Sequence, residues 1–287
     1  MILVTGASGF IGSNFCDKLD SLNIKYTGVC RNKNERFFDL DLSDYYITEK
    51  LIDFVMPTTV VHFASNPNTK IDDDNPSKII DDNIKSTMNI LSCLKHGTRF
   101  VLASSVTVYG NNLNNTEESK CDPKSIYAST KLASENIVNF YSENNGIKGV
   151  ILRLCATIGK NSTHGMIHDF SKKIKDDSDY FKVFGNKPGA FKPFLHVDDL
   201  CSAILHLIDE DLTGVYNICP SDNISVLEVA EMFLRKYKSN KKIKWSGDMW
   251  TGDNPKILCL NSKIINSGFN FNFKTSKQAI EEYLKNA

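Results

Sequence analysis

Three side chains of the sequence are of types that together transfer a proton to or from an alcohol or a carbonyl. Tyr127 and Lys131 are four residues apart in a stretch with helical character, so they are predicted to share one helix face. A nearby ammonium stabilises a phenolate, and Lys131 is therefore expected to lower the pKa of Tyr127 from its reference value of about 10. Ser105 follows a short apolar strand, where its hydroxyl is suited to hydrogen-bond a carbonyl and Tyr127. The three residues predict acid–base chemistry at an oxygen atom.

A glycine-rich turn near the start of the chain is suited to bind a pyrophosphate. The sequence Thr5-Gly6-Ala7-Ser8-Gly9-Phe10-Ile11-Gly12 joins a predicted strand to a predicted helix. Gly6 permits the tight turn, Gly9 lets a pyrophosphate approach backbone N–H groups, and Gly12 lets helix and strand pack closely. The turn predicts a dinucleotide cofactor that exchanges hydride with the substrate. The expected contacts are Gly6, Ser8, Gly9, Phe10, Ile11 and Gly12.

The residue after the second predicted strand indicates which dinucleotide binds. A site for NAD usually has Asp or Glu there, accepting a hydrogen bond from the ribose 2′-hydroxyl. Here the strand ends in Arg31-Asn32-Lys33, and Asp39 and Asp41 lie one element later. Arg31 is suited to a charge-assisted contact with a 2′-phosphate, and a solvated basic turn is the alternative interpretation. We therefore predict NADP, with NAD as the alternative.

Alternating strands and helices must hold these residues together. Strands are predicted at 1–5, 25–30, 59–63, 99–103 and 149–154, with helices near 11–22, 76–95 and 125–144. Short apolar strands alternating with helices indicate a parallel sheet covered on both faces, which is a Rossmann-type doubly wound α/β fold. Residues 1–155 are predicted to form the dinucleotide-binding domain, with returns near 195–219. Residues 156–287 are predicted to be mainly a smaller C-terminal substrate-binding cap.

The composition argues against several other classes of protein. The 287 residues carry 34 Lys plus Arg and 34 Asp plus Glu, so no positive excess favours nucleic acid or an anionic membrane. No apolar run approaches the roughly 20 residues that span a bilayer, and we expect no signal peptide. The eight cysteines form no CxxC pair and are expected to be reduced thiols of a cytoplasmic protein. Asp72-Asp73-Asp74 is interpreted as a solvated loop, so no metal is expected.

Further motifs extend over essentially the whole chain. They are Asp41-Leu42-Ser43-Asp44, Val61-His62-Phe63-Ala64-Ser65, Asn83-Ile84-Lys85-Ser86-Thr87-Met88-Asn89, Ser104-Ser105-Val106-Thr107-Val108-Tyr109-Gly110, Leu152-Arg153, Phe194-Leu195-His196-Val197-Asp198-Asp199 and Gly214-Val215-Tyr216-Asn217-Ile218. Together with the glycine turn and the Tyr-x3-Lys pair, their order resembles the extended short-chain dehydrogenase/reductases that act on nucleotide sugars.

The resemblance implies a role for each matching position. Ser105, Tyr127 and Lys131 would be catalytic. Tyr127 and Lys131 would also contact the cofactor, Lys131 at the nicotinamide ribose. The further cofactor contacts that it implies are Asp41 and Leu42 at the adenine, Phe63, Ala64 and Ser65 along the cofactor, and Asn83.

Departures from the family pattern reduce the number of family reactions that this chain is expected to catalyse. The family's dehydratases carry Asp-Glu after the catalytic hydroxyl and its decarboxylases a Glu, whereas this chain has Val106 and Thr107. Water elimination needs a general acid and base at the sugar, so neither reaction is expected. The implied substrate contacts are Thr107, Ala156, where the family often has Asn, and Lys192, where it usually has an Arg on the diphosphate. Lys binds phosphate as a point charge, without the bidentate fork of Arg.

The expected activity is hydride transfer at a carbon, C4, of a nucleoside-diphosphate sugar. The compact chain, the Arg31 turn and the missing dehydratase acids favour a 4-ketoreductase of a nucleoside-diphosphate 4-keto-6-deoxyhexose. A 4-epimerase is the alternative, because Val106-Thr107 also suits the family's epimerases. A non-catalytic NADP-sensing protein is the alternative from another class. Family members often dimerise through the Tyr–Lys helix, which implies a homodimer.

Overall fold

The structure is a computed structural model that describes residues 1–32, 34–67, 76–247 and 255–286. Lys33 of the basic turn and the run Asp72-Asp73-Asp74 lie outside these residues, so their interpretations stay predictions. Among the described residues, no helix has the length and apolar character needed to cross a membrane.

A parallel sheet of seven strands forms the centre of the fold. The strands, numbered along the chain, are β1 (Ile2–Thr5), β2 (Tyr26–Cys30), β3 (Phe38–Asp39), β4 (Thr59–His62), β5 (Arg99–Ser105), β6 (Lys148–Leu154), β7 (Ala156–Ile158), β8 (Tyr180–Val183), β9 (Phe191–Lys192), β10 (Phe194–His196), β11 (Gly214–Ile218), β12 (Ile224–Ser225) and β13 (Lys242–Trp245). The sheet has the order β11-β6-β5-β4-β1-β2-β3, and each neighbouring pair in it is parallel. The strand order reverses between β1 and β4, where doubly wound folds bind their ligands. The predicted α/β fold class is confirmed.

Helices cover the sheet and build the remainder of the chain. They are α1 (Phe10–Ser21), α2 (Tyr45–Val55), α3 (Pro76–Ile80), α4 (Ser86–Cys93), α5 (Ile126–Asn145), α6 (Met166–Lys173), α7 (Val197–Asp209), α8 (Val226–Lys236), α9 (Ser262–Asn266) and α10 (Ser276–Lys285). Because the Ser125 hydroxyl accepts a hydrogen bond from the Ala128 N–H, α5 begins just before Tyr127. Helix α5 ends at Gly146, which has a φ of 65°.

The helix predicted over 76–95 is interrupted by a single π-helical turn. This turn, Asp81–Lys85, lies between α3 and α4 and contains the buried residues Asp82 and Asn83. A π turn adds a residue to the repeat and changes which side chains face the sheet, and such turns are frequent at functional sites. It directs the polar residues Asp82 and Asn83 toward the interior.

Three clusters of buried hydrophobic residues hold the fold together. Strands β4 and β5 are buried along their whole length, as expected for a parallel sheet covered on both faces. A second cluster is built from α6, α8, α10 and β8. In it, the Phe170 ring meets Phe181 edge-on at 4.8 Å and Phe233 at 5.7 Å.

Helix α2 and the short edge strand β3 were not predicted from the sequence. Helix α2 begins where the Asp44 carboxylate accepts a hydrogen bond from the Ile47 N–H at 3.1 Å, and it buries Thr48, Leu51 and Ile52. The N-cap Asp44 was a usable signal. The short strands of the irregular segment 156–196 were also missed, because two- or three-residue strands carry no alternation pattern.

His62 at the end of β4 is expected to make stability fall in acid. Its Nδ1 lies 2.7 Å from the Thr5 hydroxyl and its Nε2 3.1 Å from the Thr87 hydroxyl. Burial, together with the charge of Lys131, lowers the pKa of His62 to about 3. The unfolded chain therefore binds one more proton than the folded chain between that pKa and about 6.5, so stability is full above about 6.5 and is lost as pH falls.

The expected loss at pH 5 is about 2 kcal/mol of unfolding free energy from this residue. Urea unfolding of the wild type and of His62→Gln at pH 7 and pH 5 measures it. Equal pH dependence in the two proteins would show that His62 is not kept neutral by the fold.

Candidate active site

The glycine turn after β1 is packed too closely for any side chain at two of its positions. Gly6 has a φ of +66°, and a Cβ there would lie 2.7 Å from the backbone nitrogen of Ala64. A Cβ at Gly12 would overlap the carbonyl oxygen of Gly6. The Gly9 N–H donates to the Gly6 carbonyl at 2.9 Å, which closes the turn. This bare backbone at the N-terminus of α1 fits the pyrophosphate of a dinucleotide.

The segment after β4 forms the opposite side of this turn. The Ala64 N–H donates to the Thr5 hydroxyl at 3.2 Å. The Asn83 side-chain oxygen accepts hydrogen bonds from the Ser65 hydroxyl at 3.1 Å and the Asn66 N–H at 2.7 Å. The Asn83 amide also donates to the Thr130 hydroxyl on α5 at 2.9 Å. Asn83 thus connects the expected cofactor edge to the helix that carries Tyr127.

Ser105, Tyr127 and Lys131 come together at the carboxyl end of β5. Ser105 lies near enough to Tyr127 to lower the pKa of its phenol, against the effect of burial. The Lys131 Nζ lies 5.8 Å from the centre of the Tyr127 ring and donates to the Ala103 carbonyl at 2.9 Å. The Ser105 hydroxyl accepts from the Thr107 hydroxyl at 2.9 Å. A phenol, an ammonium and two alcohols therefore lie together at the carboxyl end of β5.

The expected lowering of the Tyr127 pKa by Lys131 is wrong for the chain by itself. Burial raises the pKa of Tyr127 to about 12, against the opposing effect of Ser105. Burial also lowers the pKa of Lys131 to about 8, and the nearby Glu135 acts in the other direction. Desolvation disfavours both charged forms and outweighs the attraction between ammonium and phenolate. At neutral pH the phenol is protonated, so it is ready to donate.

A buried network under the catalytic helix was missed by the sequence analysis. Arg153 on β6 donates from Nη2 to the Glu135 carboxylate at 2.7 Å and from Nη1 to the Tyr109 hydroxyl at 2.9 Å. The Ser104 hydroxyl also donates to Glu135. Glu135 stands one helical turn after Lys131, and this i, i+4 spacing was the available signal.

Arg31 makes a two-pronged ion pair instead of pointing into solvent as a free cation. Its guanidinium bonds both carboxylate oxygens of Asp82, one of them at 3.2 Å. Asp41 lies nearby: burial acts to raise its pKa, but hydrogen bonds from Ser43 and the charges of Arg31 and Lys85 lower it overall. Arg31 is thus paired with Asp82 while its side chain is 44% exposed, so both interpretations of this residue stay predictions.

The structure places three of the remaining expected contacts in different parts of the fold. The Leu42 carbonyl accepts hydrogen bonds from Thr48 and Asn89, so its backbone is fixed. Ala156 is exposed on β7 and pairs with Phe194 of β10. Lys192 is half-buried on β9, two residues before β10. Val106 is buried in the core, so no carboxylate stands at that position.

Comparisons with known proteins identify the family to which the chain is similar. The model of the NAD dependent epimerase/dehydratase family matches residues 2–219. Protein CapI of Staphylococcus aureus is 28% identical over 298 residues, covering 89% of this chain and 88% of that protein. A putative UDP-glucose 4-epimerase of Methanocaldococcus jannaschii is 33% identical over 251 residues, covering 81% of each chain.

Solved structures share the whole fold. UDP-glucose 4-epimerase of Thermus thermophilus in complex with NAD superposes with a TM-score of 0.87 at 22% identity, over 100% of this chain and 99% of that one. The dTDP-glucose 4,6-dehydratase DesIV of Streptomyces venezuelae gives a TM-score of 0.87 at 21% identity, over 99% and 96%.

The fold and the site define an enzyme of the extended short-chain dehydrogenase/reductase type. Within that class, the chain belongs to the NAD dependent epimerase/dehydratase family, since the family model covers residues 2–219.

Proposed function

We propose that this enzyme is a nucleoside-diphosphate-sugar 4-epimerase. The observation that carries the proposal is the group Ser105, Thr107, Tyr127 and Lys131, which provides hydroxyls and an ammonium but no carboxylate for removing water. Epimerisation needs only reversible transfer of a proton and a hydride at one carbon. Two other relatives of this chain are named UDP-glucuronate 4-epimerase and putative UDP-glucose 4-epimerase, and these names support the same reaction.

In this mechanism the residues of the chain handle the proton. The phenolate form of Tyr127, which is the minor form at neutral pH, takes the proton of the C4 hydroxyl as that carbon is oxidised, and Ser105 hydrogen-bonds the resulting carbonyl oxygen. Lys131 stabilises negative charge on the phenol. The chemistry that the nicotinamide cofactor supplies when bound is reversible hydride transfer. Tyr127 returns the proton after the sugar has turned over, so no net oxidation occurs.

The substrate contacts follow the chain's departures from the family. We propose that the cap formed by the second hydrophobic cluster covers the sugar nucleotide and that Lys192 contacts the diphosphate. Thr107 would hydrogen-bond the sugar, and the small side chain of Ala156 would leave room beside it. Each of these contacts can be tested by substituting the one residue and measuring the affinity for the sugar nucleotide.

A 4-ketoreductase is the second candidate, and the half-exposed Arg31 favours it because NADP-dependent reduction would use that cation. The discriminating experiment incubates the protein with NAD and UDP-glucose or UDP-glucuronate and follows product by NMR. The epimerase interconverts the C4 epimers without net change in reduced cofactor. The reductase instead consumes NADPH stoichiometrically with a nucleoside-diphosphate 4-keto-6-deoxyhexose. Cofactor binding with neither reaction would support the sensor.

The cofactor is a nicotinamide dinucleotide, and we propose NAD rather than the NADP expected from the sequence. The support for NAD is the ion pair that occupies Arg31, together with the family's description. NADP stays the second candidate because the Arg31 side chain is partly exposed, and titration with each dinucleotide distinguishes the two.

We also propose a homodimer that works in the cytoplasm. Exposed apolar side chains lie on α3, α4 and α5, namely Ile80, Met88, Ile126 and Phe140, and α4 packs on α5. Exposed apolar surface on neighbouring helices favours self-association. Light scattering of the wild type and of Phe140→Glu tests it. All eight cysteines are free thiols, which suits a reducing compartment.

A further inference from the structure

Arg31 and Asp82 form an asymmetric ion pair at the end of β2. Both guanidinium Nη atoms bond the carboxylate, and the contact from Nη2 to Oδ2 measures 3.2 Å. The Asp82 side chain is only 4% exposed, whereas that of Arg31 is 44% exposed. A buried carboxylate depends on its cation, while a half-exposed guanidinium remains solvated without its carboxylate. The pair therefore fixes the guanidinium more firmly than a surface ion pair would.

The pair lies where the adenosine half of a dinucleotide is held in this fold. Arg31 follows β2, Asp41 follows β3, and Asp82 follows β4 in chain order. Strands β4 and β2 flank β1 with its glycine turn, and β3 lies beside β2, so the carboxyl ends of these parallel strands share one edge of the sheet. The acid that accepts from the ribose 2′-hydroxyl ordinarily follows the second strand, and here Arg31 occupies that region with a carboxylate from another element.

We infer that Asp82 is the specificity-determining residue for the 2′ position of the cofactor, and that it selects the 2′-hydroxyl of NAD over the 2′-phosphate of NADP. This inference rests on the proposed cofactor site. A 2′-phosphate that bonds Arg31 must either draw the guanidinium from Asp82 or bring its own negative charge beside that carboxylate. If Arg31 leaves Asp82, the buried carboxylate loses its cation; if it stays, the phosphate and the carboxylate repel each other. The neutral 2′-hydroxyl of NAD causes neither penalty.

Asp82→Asn tests the inference by removing the charge while keeping the side-chain shape. Calorimetric titration with NAD and with NADP should show wild type preferring NAD, and the variant gaining at least about tenfold in NADP affinity relative to NAD. Adenosine 2′,5′-bisphosphate against 5′-AMP should repeat the shift. NADP binding to the variant should weaken with salt more steeply than to wild type.

Asp81→Asn is the matched control. Asp81 is the adjacent carboxylate, 51% exposed, and its cation is Lys85 at 3.9 Å. The Asp81→Asn variant removes the same charge from the same turn without changing the partner of Arg31. The ratio of its affinities for NAD and NADP should therefore stay at the wild-type value. In an Arg31→Gln background, Asp82→Asn should no longer raise the relative affinity for NADP.

The outcomes separate this inference from the proposed function. A wild type that binds NADP as well as NAD overturns the inference even if Asp82→Asn does not fold. Equal loss of both affinities in Asp82→Asn, or the same shift in Asp81→Asn, also overturns it. A wild type that binds neither dinucleotide contradicts the proposed cofactor site itself.

Discussion

Tyr127→Phe is expected to lower kcat for sugar-nucleotide turnover by about 10²- to 10⁴-fold, the usual contribution of a positioned acid–base group. The variant keeps the ring and its contact with Lys131 but loses the only atom of Tyr127 that exchanges a proton. Because the pyrophosphate is expected at the glycine turn and not at this hydroxyl, cofactor affinity should stay within several-fold of wild type. Turnover and cofactor binding are measured on the same preparation.

Ser105→Ala is the companion variant for this prediction. Ser105 lies near Tyr127 and its hydroxyl accepts from Thr107, so its loss should reduce turnover less than loss of the phenol does, by removing orientation but not the proton donor. Near-normal activity of Tyr127→Phe would contradict the proposed proton transfer. A large loss of cofactor binding in the same variant would instead assign Tyr127 a structural role.

Local chemistry made the centre of this site readable from the sequence. The glycine turn is determined by backbone geometry over eight residues, and Tyr127 and Lys131 are brought to one helix face by their spacing alone. Each signal needs only a neighbouring strand or helix to be placed correctly. The doubly wound topology then brings separate strand ends to one crevice.

Contacts between distant residues were not readable in the same way. Arg31 and Asp82 are 51 positions apart, and their pairing depends on a π turn that the helical pattern of 76–95 did not indicate. The Tyr127 pKa was mispredicted for a related reason. The spacing showed that Lys131 was near, but it did not show how far the site is shielded from water. Desolvation determined the direction in which the pKa of Tyr127 shifts.

Arg153→Met is expected to reduce the free energy of unfolding by about 3–5 kcal/mol. Arg153 is buried and gives Glu135 three hydrogen bonds from Nε and Nη2, at 3.2, 3.2 and 2.7 Å. Without it, the 1%-exposed carboxylate of Glu135 keeps the Ser104 hydroxyl but loses its cation. The Tyr109 hydroxyl loses a donor as well. Chemical denaturation at neutral pH measures the loss.

The double variant Arg153→Met, Glu135→Leu distinguishes an unpaired charge from a mere loss of packing. Replacing both members of a buried pair with apolar residues removes the unpaired carboxylate, so part of the lost stability should return. No recovery would indicate that the loss came from packing alone. Because Glu135 raises the pKa of Lys131, the double variant should also shift the Lys131 titration below about 8. A stable double variant with an acid-shifted pH profile of turnover would therefore connect this buried network to the charge of the catalytic lysine.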